Sequence, residues 1–260
     1  MAYENVVLET EGPLAILKVN RPKALNALNS ATLEEILSAA RELDAAPQIK
    51  VVIVTGGGDK AFIAGADIVE MKDMTPTQAV AFSHRGHIAL SALENMQKPV
   101  IAAVNGYALG GGFEVALACD IIYAAEKARL GFPEVTLGIF PGFGGTQRLP
   151  RLIGKGKAKE LIYTGKMVTA QEAFEMGIVN RVFPQASLME ETKKVAAQIG
   201  GTGPIGVRLA KMIVDSGFNM DLGEACSMES YAFSLGFSTE DQKEGMKAFL
   251  EKRKYKYQGR

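Results

Sequence analysis

Short apolar runs alternating with one-faced helical stretches set the rhythm of the first two-thirds of this chain. Runs at residues 6–9, 15–19, 51–55, 100–104 and 121–124 have the length and composition of buried strands. Between them the pattern turns helical. Residues 32–44 open with Thr32-x-x-Glu35, which reads as a capping box, and a second helix opens at Thr75-Pro76 and runs to about residue 96. A strand–strand–helix rhythm recurs over residues 6–44, 51–96 and from 100 onward, with no residue-level repeat. It predicts an α/β fold with mostly parallel pairing. From Gly154 the pattern is largely helical. Thr169-x-x-Glu172 caps one helix, Pro204 opens another, and Ser238-Thr239-Glu240-Asp241 opens the last. The composition shifts near Leu149–Gly154 without a linker. The Met, Phe and Leu residues of the last stretch (Met212, Met220, Met228, Phe233, Phe237, Met246, Phe249) suit either a core or a subunit contact.

Composition narrows the class. A chain of 260 residues with 47% hydrophobic and 22% charged residues can bury a core as one globular domain. Lys+Arg and Asp+Glu both number 29, so no net field favours nucleic acid or an anionic membrane. An anionic ligand would have to be met by local basic groups. No apolar run approaches the ~20 residues that cross a bilayer, and residues 1–10 resemble no leader, so the expected location is the cytoplasm. Cys119 and Cys226 sit in apolar surroundings and are predicted to be buried, reduced thiols. His84 and His87 have no third partner in a ligand pattern, so no metal is expected.

The candidate chemistry centres on residues 105–114. The apolar run 100–104 passes through Asn105-Gly106 into Gly110-Gly111-Gly112 and then a helical stretch with Glu114 in its first turn. A strand, three glycines and a helix start bring bare backbone N–H groups against whatever lies at that helix terminus. Taken alone, Glu114 could simply complement the helix dipole. Glu134 alters that reading. It follows one out-and-back excursion through residues 121–125 and 128–130, which can return the chain to the place it left. Both acids lie in apolar sequence, where an unpaired carboxylate costs several kcal/mol unless it is paired or protonated. Together they read as a working pair.

Several segments match one family in order and spacing: Lys60-Ala61-Phe62-Ile63-Ala64-Gly65-Ala66-Asp67-Ile68, Lys98-Pro99 through Glu114, Cys119-Asp120-Ile121, Gly131-Phe132-Pro133-Glu134, and Pro141-Gly142-Phe143-Gly144-Gly145-Thr146-Gln147-Arg148-Leu149. From residue 6 to about 254 the chain resembles the enoyl-CoA hydratase/isomerase, or crotonase, family. The resemblance implies a ClpP/crotonase-like α/β fold of repeated ββα units. Residues 1–200 would form a spiral core with the active site, and residues 201–260 a helical trimerisation region. It further implies an acyl-CoA thioester substrate, no cofactor beyond the CoA carried by that substrate, and assembly as trimers or dimers of trimers. The N–H groups of Ala66 and Gly111 would form an oxyanion hole, Glu114 and Glu134 would exchange protons, and Gly142 would support the reacting water. For CoA, the resemblance points to Lys23, Ala24, Ala64, Asp67 and Ile68, and to Phe249 and Lys252 reaching a CoA on another subunit. Lys252 could equally be a solvated helix end.

Two departures bear on the acyl pocket: Phe113 and Phe132 stand where many family hydratases carry Cys and Gln. Phe143 is similar to the short-chain 3-hydroxybutyryl-CoA dehydratase branch. The implied activity is reversible hydration of short trans-2-enoyl-CoA to 3-hydroxyacyl-CoA. An enoyl-CoA isomerase would work with one dominant acid, an RNA-binding relative would show a basic stripe, and a Rossmann protein would show G-x-G-x-x-G. None of these fits as well.

Overall fold

A computed structural model describes residues 3–260. Its strands divide between two sheets. The larger runs, edge to edge, β1 (Val6–Glu11), β2 (Leu14–Val19), β3 (Val51–Gly56), β5 (Val100–Val104), β7 (Ile121–Ala125) and β10 (Arg181–Phe183). Only β1–β2 is an antiparallel hairpin; the other pairs are parallel. The smaller sheet runs β4 (Ala61–Ala64), β6 (Tyr107–Leu109), β8 (Arg129–Gly131) and β9 (Met167–Thr169), with β9 antiparallel to β8.

Strands β3 and β5 are buried along their whole length. A parallel sheet covered on both faces requires such unbroken apolar runs, and side-chain alternation then sends neighbours to opposite faces. Val52 and Val54 join the main core, whereas Val51 and Ile53 join a smaller one closed by Leu188 and Ala196. The helices are α1 (Ser30–Ala45), α2 (Ile68–Met71), α3 (Pro76–Glu94), α4 (Gly111–Leu117), α5 (Gly145–Ile153), α6 (Lys155–Thr164), α7 (Ala170–Glu175), α8 (Leu188–Gly200), α9 (Pro204–Gly217), α10 (Leu222–Gly236) and α11 (Glu240–Leu250). Successive turns of the spiral supply one strand to each sheet before a helix: β3 and β4, then β5 and β6, then β7 and β8. This is the crotonase fold.

The predicted cap of the first helix lies three residues too late. Asn29, not Thr32, is the cap: its Oδ1 accepts from the Thr32 amide (2.8 Å) and hydroxyl (2.6 Å). Glu35 instead accepts from the Glu4 and Asn5 amides (3.1 and 2.7 Å), tying α1 to the start of the chain. The box at Thr169 forms with Glu172 as its reciprocal partner, the cap at Thr75 proves to be a box as well, with Gln78, and Pro204 opens α9.

The C-terminal helices carry little core. Helix α9 buries no residue and α10 buries only Ala232. Lys211 ties α9 to the larger sheet through Asp120 (2.8 Å), whose same oxygen accepts from the Val100 amide (2.6 Å). Phe233 and Phe249 are 70% and 84% exposed, so core packing within this chain does not explain them. Cys119 is buried as predicted, but Cys226, on the open α10, is exposed. Among the described residues no helix is long and apolar enough to cross a membrane.

Candidate active site

The register of the smaller sheet assembles the site. Ala64 of β4 lies beside Leu109 of β6, and Leu109 beside Gly131 of β8. All three strands are parallel, so their C-terminal ends finish in one row, where α/β sheets offer a crevice for ligands. The loop leaving β4 carries Ala66, helix α4, which follows β6 after Gly110, carries Gly111 and Glu114, and the 3-10 turn leaving β8 (Pro133–Leu137) carries Glu134. Three sequence-distant segments, with four candidate residues, thus become neighbours through two pairs of strands.

Backbone geometry frees two amides there. Leu28 donates to the Gly65 carbonyl (2.9 Å) and accepts from the Asp67 amide (2.8 Å). In a parallel bridge this turns the N–H of the intervening Ala66 away from Leu28. Gly111 is the first residue of α4, so its N–H is one of the donors a helix leaves unpaired. Neither amide finds an acceptor among the described residues. Gly110 makes the approach possible: at φ 49 and ψ −124 it adopts a positive-φ conformation that residues with a Cβ rarely reach, and a Cβ there would lie 2.7 Å from Glu134 Oε1.

The carboxyl groups differ in their surroundings. Glu114 is 1% exposed, and its Oε1 accepts from the Phe143 and Gly145 amides (2.8 and 2.7 Å). Burial pushes its pKa up to about 7, against those two donors and the Arg148 charge. Glu134 is half-buried, and its Oε2 is enclosed without a hydrogen-bond partner. Burial, followed by the charge of Glu114, raises it to about 7 as well. Burial is the first cause at both positions, so each carboxyl group keeps its proton to a higher pH than an exposed glutamate would.

The remaining predicted residues fall as follows. Gly142 lies in the loop before α5, its carbonyl accepting from the Ser83 hydroxyl (2.6 Å). Lys23 and Ala24 are exposed on the 3-10 turn before α1, and Ile68 is 57% exposed at the start of α2. Ala64 ends β4, its N–H bonded to Leu25 (3.0 Å). Asp67 is committed within the chain: it caps α2 through the Val69 amide (3.1 Å) and pairs with Arg21 (3.0 Å). Phe249 and Lys252 stand at the open end of α11, with no hydrogen bond from that helix to the row of strand ends among the described residues. Phe113 and Phe132 do not shape an open pocket. Both are fully buried and pack on each other at 4.7 Å, behind the carboxylates.

Sequence reasoning missed two supports. Asn26, 1% exposed, donates to the Gly57 and Ala61 carbonyls (both 2.9 Å) and so fixes the loop that faces Ala66. The amides of Phe143 and Gly145 that grip Glu114 were also missed. Their only signal was the glycine-rich start of α5, where Gly144 sits at φ 108.

Comparison with known proteins places this geometry in a class. Residues 9–260 match the model of the family described as enoyl-CoA hydratase/isomerase. The chain belongs to that family and is an enzyme of it. It is 52% identical to "Crotonyl-CoA hydratase" of Syntrophomonas wolfei, over 98% of each chain. It is 50% identical to "Short-chain-enoyl-CoA hydratase" of Clostridium acetobutylicum, over 98% of this chain and 97% of that one. Among solved structures, an enoyl-CoA hydratase from Bacillus anthracis superposes with a TM-score of 0.96 at 44% identity, covering 99% of this chain and all of that one.

Proposed function

We propose that this protein reversibly hydrates short trans-2-enoyl-CoA thioesters, with crotonyl-CoA as the preferred substrate. The observation that carries the reading is the row of strand ends that sets two free amides beside two carboxyl groups poised near neutrality. The thioester oxygen accepts from the Ala66 and Gly111 amides. As water attacks C3, negative charge gathers on that oxygen, and donors fixed in advance stabilise it by roughly 3 kcal/mol each. Ionised Glu114 takes the water's proton. Glu134, protonated and unpartnered at Oε2, delivers a proton to C2. The Gly142 amide helps to orient the water. The 52% identity to a crotonyl-CoA hydratase supports the same reaction. Loss of enoyl absorbance on mixing the protein with crotonyl-CoA tests the reading, and an inert mixture contradicts it.

One proton shared between the pair fixes the pH dependence. Below the working range both carboxyl groups are protonated and no base remains; above it both are ionised and no acid remains. Since each is raised to about 7, kcat should pass through a maximum near neutrality and fall on both sides. A rate that rises monotonically across that range contradicts the assignment.

Phe143 supports a short acyl group. Its ring is 3% exposed, lies 5.3 Å from the Phe82 ring, and would come within 3.1 Å of a Cβ on Gly111. It packs directly on Gly86 of α3, where any side chain would collide with it. The space next to the Gly111 amide is therefore filled by a ring with little freedom to move. Phe143→Ala should raise kcat/KM for an eight-carbon enoyl-CoA about tenfold relative to crotonyl-CoA. A kinetic series from four to twelve carbons checks this, and an unchanged ratio contradicts it.

The exposed apolar residues of α9 to α11 support assembly with copies of the same chain, as trimers or dimers of trimers, in which Phe249 and Lys252 reach a neighbour's CoA.

A further inference from the structure

The loop that grips Glu114 is itself held from behind. Arg148 of α5 donates through Nη1 to the Phe143 carbonyl (3.0 Å), and through Nε and Nη2 to both carboxylate oxygens of Glu94 (2.8 and 2.6 Å). A planar guanidinium can make this forked pairing while bonding a third acceptor; an ammonium cannot. Gly144 completes the fit, since a Cβ there would collide with Arg148 Nη1. One chain of contacts thus runs from the end of α3 through Glu94, Arg148 and the Phe143–Gly145 loop to Glu114 Oε1. The Arg148 side chain is 15% exposed and that of Glu94 40%, so the charge next to the loop is the sheltered one.

We infer that Arg148, braced by Glu94, is a positioning residue for the hydration step, fixing the two amides on Glu114 and keeping that carboxylate oriented and ionised as base. The inference rests on the reading of Glu114 as the base. The other groups around Glu114 leave this task to Arg148. The turn after β8 brings Glu134, a like charge. Helix α3 brings Glu94 and the imidazole of His87, which lies by Arg148 with His84 beyond it, and the buried thiol of Cys119, just after α4, also faces Arg148. Strand β4 has no titratable side chain, and β6 has only Tyr107, 41% exposed.

The test is kcat and KM for crotonyl-CoA across about pH 6 to 9 in Arg148→Met, Arg148→Gln and Arg148→Lys. In the two neutral variants the acidic limb of kcat should rise by roughly one pH unit. The rate near pH 7 then falls about fivefold, the gap closes as the pH rises, and KM stays within about twofold. Arg148→Lys keeps the charge and so keeps the limb in place. A limb that does not move in the neutral variants, or a loss equal at every pH, overturns the inference. Should both neutral variants fail to fold, Glu94→Gln at its half-open position decides: kcat should drop about threefold with KM unchanged, and a wild-type kcat overturns the inference. Glu114→Gln separates the two claims. If it stays active, the acid/base reading itself fails. If it is inert while the limb does not move, only the role of Arg148 fails.

Discussion

Glu114→Gln and Glu134→Gln should each lower the hydration rate by roughly 10²–10⁴-fold with little change in KM, because each removes one proton transfer and leaves the thioester's contacts intact. Glutamine keeps the shape of the side chain, and its amide oxygen can still accept from Phe143 and Gly145. Stability adds a second signature. The folded-state pKa of Glu114 lies above its usual 4.5, so the costly form is the ionised one. Stability is therefore fully present below the ordinary carboxylate range and is lost as pH rises to about 7. Glutamine cannot ionise. The Glu114→Gln protein should thus be nearly inert yet melt at a higher temperature than wild type above neutrality. Thermal melts alongside steady-state kinetics check both halves, and a variant that is active, or inert because it is unfolded, contradicts the assignment.

Gly112→Ala should damage the fold itself. Gly112 lies in the first turn of α4 against the backbone of β4. A Cβ there would run into the Ile63 carbonyl and come within 2.7 Å of the Ile63 Cβ. Both obstacles belong to Ile63, a fully buried residue of β4 that cannot step aside, so helix and strand would have to part. Overpacking against backbone costs roughly 3 kcal/mol or more, about 6–12 °C in Tm for a chain of this size. The same displacement would separate the Gly111 amide from that of Ala66, since Gly111 opens α4 and Ala66 lies two residues beyond the end of β4. Activity should fall further than the loss of folded protein accounts for. Gly156→Ala, where the added methyl meets nothing within 4 Å, is the control and should leave both quantities close to wild type. Equal behaviour of the two variants contradicts the role given to Gly112.

The long strands and most helix starts were legible because burial on both faces demands unbroken apolar runs, and because capping chemistry is local. Strands β4 and β6 were not. They have four and three residues, and only the row of neighbours makes them strands. The start of α1 was misplaced because Thr32-x-x-Glu35 satisfies a local rule while Asn29 satisfies it better and Glu35 is drawn to the chain's first residues. Both acids were visible as isolated charges in apolar sequence. The grip on Glu114 was not, because main-chain donors leave no letter in a sequence. No role was read for Arg148 or Glu94 for a related reason: their pairing depends on how α3 and α5 meet.

The most direct measurement is a crystal structure of the protein with acetoacetyl-CoA, whose enolate resembles the charge that develops during hydration. The account predicts the thioester oxygen about 3 Å from both the Ala66 and Gly111 nitrogens, with C2 and C3 facing the carboxyl groups of Glu134 and Glu114. A thioester bound elsewhere, or bound there with either carboxyl group turned away from it, would contradict the account.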